Sequence, residues 1–111
     1  MTPRPFDPGW LSQRVTVESA AGTGDGAGGE TVVWDTMATV WANVKPARTR
    51  ERIVAGHLSG VVTHEVTMRW RDDIAGGMRL VHRGRILRVL AVNDLDEMRR
   101  YLVARTEEEA P

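Results

Sequence analysis

Apolar and polar residues alternate with a period of two through one short segment after another of this chain, and turn-forming residues separate the segments. That pattern marks β-strands with one face on a core. The clearest case is Thr39–Pro46, which puts Val40, Ala42 and Val44 on one face and Thr39, Trp41, Asn43 and Lys45 on the other. The first is a core face. The second carries a tryptophan among polar residues, which points either to a partner surface or to a fold that covers both faces of the strand. Pro46 ends the strand because proline cannot donate to the ladder.

The same reading extends along the chain. Arg14–Glu18 alternates strictly, with Val15 and Val17 inward. Residues 20–29 hold Gly22, Gly24, Gly26, Gly28 and Gly29 and read as a long, mobile hairpin connection. No Lys-Ser/Thr pair or helical pattern follows them, so they are not a phosphate cradle. Thr31–Asp35 is the returning strand, and Thr39–Lys45 follows after a short break. Residues 46–60 lose the alternation and read as an extended excursion from the barrel, in which Thr49 could cap a short helical stretch to about His57.

Val61–Arg71 is expected to be the longest strand, with Val62, His64, Val66, Met68 and Trp70 on one face and Thr63, Glu65, Thr67, Arg69 and Arg71 on the other. Asp72–Gly77 reads as a turn. Met78–His82 and Arg85–Asn93 form a hairpin about Arg83-Gly84. In its second arm Ile86, Leu90 and Val92 oppose Leu87, Val89 and Ala91, so this strand is central or lies under a partner. Met98–Arg105 closes the series, with Leu102 and Ala104 opposite Tyr101 and Val103. Six or seven strands of this kind predict an all-β fold, a small antiparallel β-barrel or sandwich with one long loop excursion at about 46–60.

With 111 residues the chain is expected to be one domain, with a flexible N-terminus (about 1–9) and an acidic C-terminal tail (106–111). It contains no cysteine, which removes disulfides and thiolate metal sites. Neither a signal-peptide pattern nor a membrane-spanning run is present, so the chain is expected to be made in the cytoplasm, without a membrane partner. Formal charge is zero, from 15 basic and 15 acidic residues, which argues against general coating of nucleic acid. The balance is uneven: residues 1–45 carry three basic and five acidic side chains, and 46–105 carry twelve and seven. Lys45 is the one lysine; the other basic residues are arginine, as arginine's bidentate fork or a GC-rich genome would each give.

Candidates for catalysis are few. His57, His64 and His82 lack metal-ligand spacing, and His64 on an apolar face reads as a satisfied core histidine. Asp72-Asp73 serves a turn, Ser12, Ser19 and Ser59 have no nucleophile context, and Asp94, Asp96 and Glu97 beside Arg99 and Arg100 read as a solvated loop. No enzyme activity and no cofactor are expected.

The order Arg14-Val-Thr-Val, Gly28-Gly29 with Trp34, Ala38-Thr-Val-Trp-Ala-Asn-Val-Lys-Pro46, His64-Glu-Val-Thr-Met-Arg-Trp-Arg71, Gly77-Met-Arg79, Gly84-Arg-Ile86 and Arg100-Tyr-Leu102 resembles the head–tail joining proteins of tailed bacteriophages and gene transfer agents, also called head-completion or stopper proteins. The resemblance covers roughly residues 10–105 and departs from the family pattern at Arg50, where a small residue is usual. It implies a β-barrel that forms a homo-oligomeric ring, six- or twelvefold with sixfold favoured, in the virion neck, assembled in the host bacterial cytoplasm. Such a ring docks beneath the portal and adaptor, helps retain packaged double-stranded DNA without sequence specificity, and offers a platform to the tail terminator and tail tube.

The family's channel loop falls on about 47–60, which makes Arg48, Arg50, Arg52 and His57 candidates for the lumen or a subunit interface. Trp41, Arg69, Arg71, Arg79, Arg85 and Tyr101 are interface candidates. Pairing of Arg69, Arg71, Arg79, Arg83 or Arg85 with Asp72, Asp73 or Glu107–Glu109 of a neighbouring copy would set register. A tail terminator of the same neck and a small nucleic-acid-binding barrel are the alternative readings. The second needs a basic groove with stacking aromatics, and the chain has one phenylalanine and one tyrosine.

Overall fold

A computed structural model describes residues 6–24 and 30–109. A single 3-10 turn, Pro8–Trp10, leads into eight strands: β1 Gln13–Gly24, β2 Glu30–Pro46, β3 Arg52–Ala55, β4 Leu58–Val61, β5 His64–Arg69, β6 Arg79–His82, β7 Arg85–Asp94 and β8 Tyr101–Glu108. Six of them close an antiparallel barrel in the order β1-β2-β5-β8-β7-β6, and β3 and β4 form a separate two-stranded sheet. Closure removes the open edges that a six-stranded sheet would otherwise present. The all-β fold expected from the alternation is observed, and of barrel and sandwich it is the barrel.

The inward residues are those the alternation marks. Val15 and Val17 of β1, Ala42 of β2, Val66 and Met68 of β5, Leu80 of β6, Leu87 and Val89 of β7, and Leu102 and Ala104 of β8 form one buried cluster. Ile74 joins them from the segment read as a plain turn. Val40 and Val44 pack against the cluster, as the inner face of β2 requires.

Two bulges change the phase of the alternation. Val17 pairs with Ala38 and Glu18 with Thr36, which leaves Met37 as an extra residue in β2. The expected break before Thr39 is this bulge, inside one strand of 17 residues, the longest of the described chain. In β7, Val89 pairs with Thr106 and Ala91 with Arg105, so Leu90 is the extra residue. Beyond it Val92, not Ala91, packs on the core with Leu87 and Val89. Leu90 is buried outside that cluster, under the excursion.

The excursion carries a β-hairpin in place of the short helical stretch its sequence allows. Ile53 and Val54 favour extended backbone, and Ala55 pairs with Leu58 around a two-residue turn whose first position, Gly56, has φ +61°. A positive φ there is what a type II′ hairpin turn needs and what glycine supplies. The long strand expected from Val61 is consequently split: Val61 ends β4, and β5 starts at His64. Between them Val62 N donates to Glu51 O at 2.8 Å and Thr63 N to Thr106 O at 2.8 Å.

The ends also differ from expectation. β8 begins at Tyr101 and runs to Glu108, and Glu109 N donates to Ile86 O at 2.9 Å, so 106–109 belong to the barrel instead of to an acidic tail. Residues 98–100 lie in a turn in which Glu97 and Arg99 take φ 62° and 54° and Asp94 accepts from Arg99 N. Before β1, the segment from Phe6 is docked: Phe6 packs on Tyr101, and Asn43 Nδ2 donates to Trp10 O at 3.3 Å. Thr67, in register with Asn43 and Val103, is buried although it faces outward. The glycine-rich connection shrinks too, since Ala20–Gly24 pairs with Glu30–Trp34; its remaining residues, 25–29, lie outside the described residues. No helix among the described residues is long and apolar enough to cross a membrane.

Candidate functional site

A row of side chains crosses the outside of the barrel at Trp41. Because Val15, Ala42, Met68 and Leu102 point inward, their neighbours Arg14, Trp41, Arg69 and Tyr101 point outward. Arg14 pairs with Trp41 and Arg69 with Tyr101, and the Ala42–Met68 pair sets Trp41 beside Arg69. The Arg14 guanidinium lies 4.7 Å from the Trp41 ring centroid, a cation–π contact. Tyr101 is covered by Phe6, their ring centroids 4.8 Å apart. Trp41 is left open: 52 % of its surface is exposed. Of the two readings of this residue, cover by the fold is ruled out within one chain. A cleft of about 280 Å³ between Leu11, Trp41, Arg69 and Trp70 and another of about 290 Å³ between Arg14, Trp41, His82 and Arg83 flank the ring.

Ion pairing sorts the arginines into two classes. Arg71 pairs with Asp73 at 2.8 Å, Arg79 with Glu18 at 2.5 Å, Arg85 with Glu108 at 2.7 Å, Arg88 with Glu107 at 2.9 Å and Arg105 with Glu51 at 2.5 Å; Arg100 pairs with Asp96. Arg79 also stacks on Trp34, 4.3 Å from the ring centroid. Three of the interface candidates, Arg71, Arg79 and Arg85, are therefore engaged within their own chain, where the carboxylates sit next door in register or in the same turn. Arg69 is not. Among the described residues, Arg14, Arg69 and Arg83 around Trp41 and Arg48, Arg50 and Arg52 before and within β3 have no ion pair, and all six are exposed.

The structure gathers the two candidate groups at separate places. Arg48, Arg50, Arg52 and His57 lie on the excursion; Trp41, Arg69 and Tyr101 lie in the outer row, joined by Arg14 and Arg83. Arg14 was recognisable as the residue alternating outward next to Val15, but its seat on Trp41 depends on strand register.

The buried histidine is His82, not His64. His64 is half-buried at the barrel rim, its Nε2 3.1 Å from Arg85 Nη2 and its Nδ1 3.0 Å from Thr63 Oγ1, while His82 is the core-like histidine at 5 % exposure. His64 titrates below the ordinary 6.5 because burial disfavours its charged form, and Arg85 adds to the shift against the opposing pull of Glu108. Glu108 is held below its ordinary range chiefly by its hydrogen bonds from Arg85. No cluster of metal-ligating side chains occurs among the described residues.

The model of the phage head completion protein family matches residues 6–109. The chain belongs to that family. The family resemblance read from the motifs is thereby established. Among solved structures, a chain from the virion of a native gene transfer agent particle is 23% identical, with a TM-score of 0.67 over 90% of this chain and 96% of that one. The solution structure of a protein from Shigella flexneri 2a is 24% identical, with a TM-score of 0.66 over 95% and 98%. Both likenesses concern the fold. A search of curated proteins finds no significant match.

Proposed function

We propose that this head completion protein is a structural part of the neck of a phage or gene transfer agent particle, where copies of it form a ring, most simply sixfold. In this reading the ring docks beneath the portal and adaptor, helps hold the packaged DNA and presents a platform to the tail terminator and tail tube. The family match over nearly the whole chain carries the proposal. The excursion supports the DNA-holding part, since Arg48 and Arg50 before the β3–β4 hairpin and Arg52 and His57 within it are exposed, with no carboxylate engaged to any of the three arginines among the described residues. Arginines in that state suit phosphate contacts, which are independent of base sequence.

Deleting residues 48–59 is a poor test, because it also removes Glu51 and Ser59, which hold Arg105 and Arg88 of the barrel. The triple substitution R48A/R50A/R52A leaves the hairpin's anchors in place. Particles built with it are expected to lose DNA, read as nuclease-accessible genome and empty heads. Full, infectious particles would remove the DNA-holding role while leaving the neck assignment intact.

A further inference from the structure

The β1–β2 hairpin outgrows the barrel. Among the described residues, β1 beyond Glu18 has no strand partner but β2, and β2 meets β5 only from Ala42 onward. The stretch from Ser19 to Gly24 and its partner from Glu30 to Asp35 is therefore a two-stranded arm with both edges open, touched by the barrel where Arg79 stacks on Trp34. At about 3.4 Å per residue it reaches roughly 20 Å. The radius of gyration, 14.8 Å, exceeds the about 13 Å of a compact chain this long. Val32 and Val33 on the arm are 47 % and 49 % exposed. A lone two-stranded ribbon is marginal in water and its open edges invite pairing, so a feature of this length and apolarity needs a surface to lie on.

Charge identifies that surface. Between Ser19 and Ala38 the chain carries Asp25, Glu30 and Asp35 and no lysine or arginine; Asp35 is exposed beside the valines. The face around Trp41 is the complement: an open tryptophan, two clefts, and Arg14, Arg69 and Arg83 without ion pairs among the described residues. Arm against arm would oppose acid to acid, and face against face would oppose arginine to arginine. The one self-complementary arrangement joins different patches of two copies, which is the heterologous contact a ring requires.

We infer that the β1–β2 arm of one copy lies across the Arg14–Trp41–Arg69 face of a second copy, with Val32 or Val33 against Trp41 and Asp35 toward the arginines. This rests on the ring reading above and names the contact that builds the ring. The apolar contact supplies most of the attraction, and the charges select the partner and the register.

The absence of cysteine makes the test direct. Full-length V33C and R69C proteins, or V32C in place of V33C, are co-assembled into particles and treated with a short bismaleimide. The contact predicts a cross-linked dimer of this chain in several-fold excess over a V54C and R69C mixture, Val54 being the exposed residue of the other hairpin. As a second arm, R69E is expected to lower incorporation and D35R/R69E to restore it. Particles that hold multiple copies but give no excess dimer, or that join the arm to a different neck protein, overturn the inference and spare the ring. Particles with a single copy overturn both.

Discussion

The β3–β4 hairpin and the β1–β2 arm both leave the barrel, and they differ in what they lie against. The β3–β4 hairpin is seated on its own chain. Glu107 accepts from Val61 N at 3.0 Å and from Arg88 at 2.9 Å, Arg88 donates onward to Ser59 O at 2.9 Å, and Glu51 pairs with Arg105. Leu90 fills the space beneath Gly60 so closely that a Cβ there would come within 3.1 Å of it, and within 2.8 Å of Glu107 Oε1. The arm touches the barrel at its root, where Arg79 stacks on Trp34, but its valines stay half-exposed and its edges unpaired among the described residues. A hairpin becomes part of the body only where the barrel offers it apolar cover and partners for its backbone; otherwise it is available to another molecule.

That contrast can be broken most sharply at Leu90. L90A is expected to cost about 2–5 kcal/mol, the range for emptying a packed leucine site, whereas V33A should change stability by no more than about 0.5 kcal/mol, as at an open surface. Urea unfolding of the two variants compares them directly; equal losses would mean the hairpins are held alike. E107A comes next. It strands the Val61 amide and the Arg88 guanidinium and should cost roughly 1–2 kcal/mol, with faster hydrogen exchange at Val61 and unchanged exchange in the arm.

The smallest effect concerns the rim where the seated hairpin leaves β2. His64 has a folded-state pKa below its ordinary 6.5, so the unfolded chain takes up the proton more readily. Its contribution is in place above about pH 6.5 and is lost as pH falls below it, with Arg85, His82 and Glu108 as the charged groups facing it. H64N should flatten that part of the stability–pH curve. Glu108 works in the same direction at lower pH, its stabilisation lost as pH falls below about 4.5. An unchanged curve between pH 7 and 5 would show that His64 is solvated.

Much of the barrel was legible because a period-two pattern survives inspection residue by residue. Val15, Val17, Val66, Met68, Leu80, Leu102 and Ala104 face inward as their spacing requires. The outward side of Trp41 followed from the same count. The excursion was misread because Ile53-Val54 is too short a β-branched run to declare a strand, and Gly56 interrupts any pattern around it. The turn at 72–77 hid Ile74, a single apolar residue with no periodicity to mark it.

Other features have no linear signal at all. The bulges at Met37 and Leu90 appear only when two strands are paired, and they decide whether Ala91 or Val92 faces the core. The engagement of Arg71, Arg79 and Arg85 within the chain follows from which carboxylate lies across the register or the turn. The burial of His82 in place of His64 follows from where the barrel ends.

By itself the order of residues determined that this chain is a small antiparallel β-barrel or sandwich, most of the residues that line it, and which family it belongs to, because alternation and motif order are local properties. Tertiary structure alone decided which arginines remain without ion pairs, which hairpin is seated and which stands free. Those depend on barrel closure, which brings residues distant in sequence into register and consumes some surfaces while leaving Trp41 and the arm open.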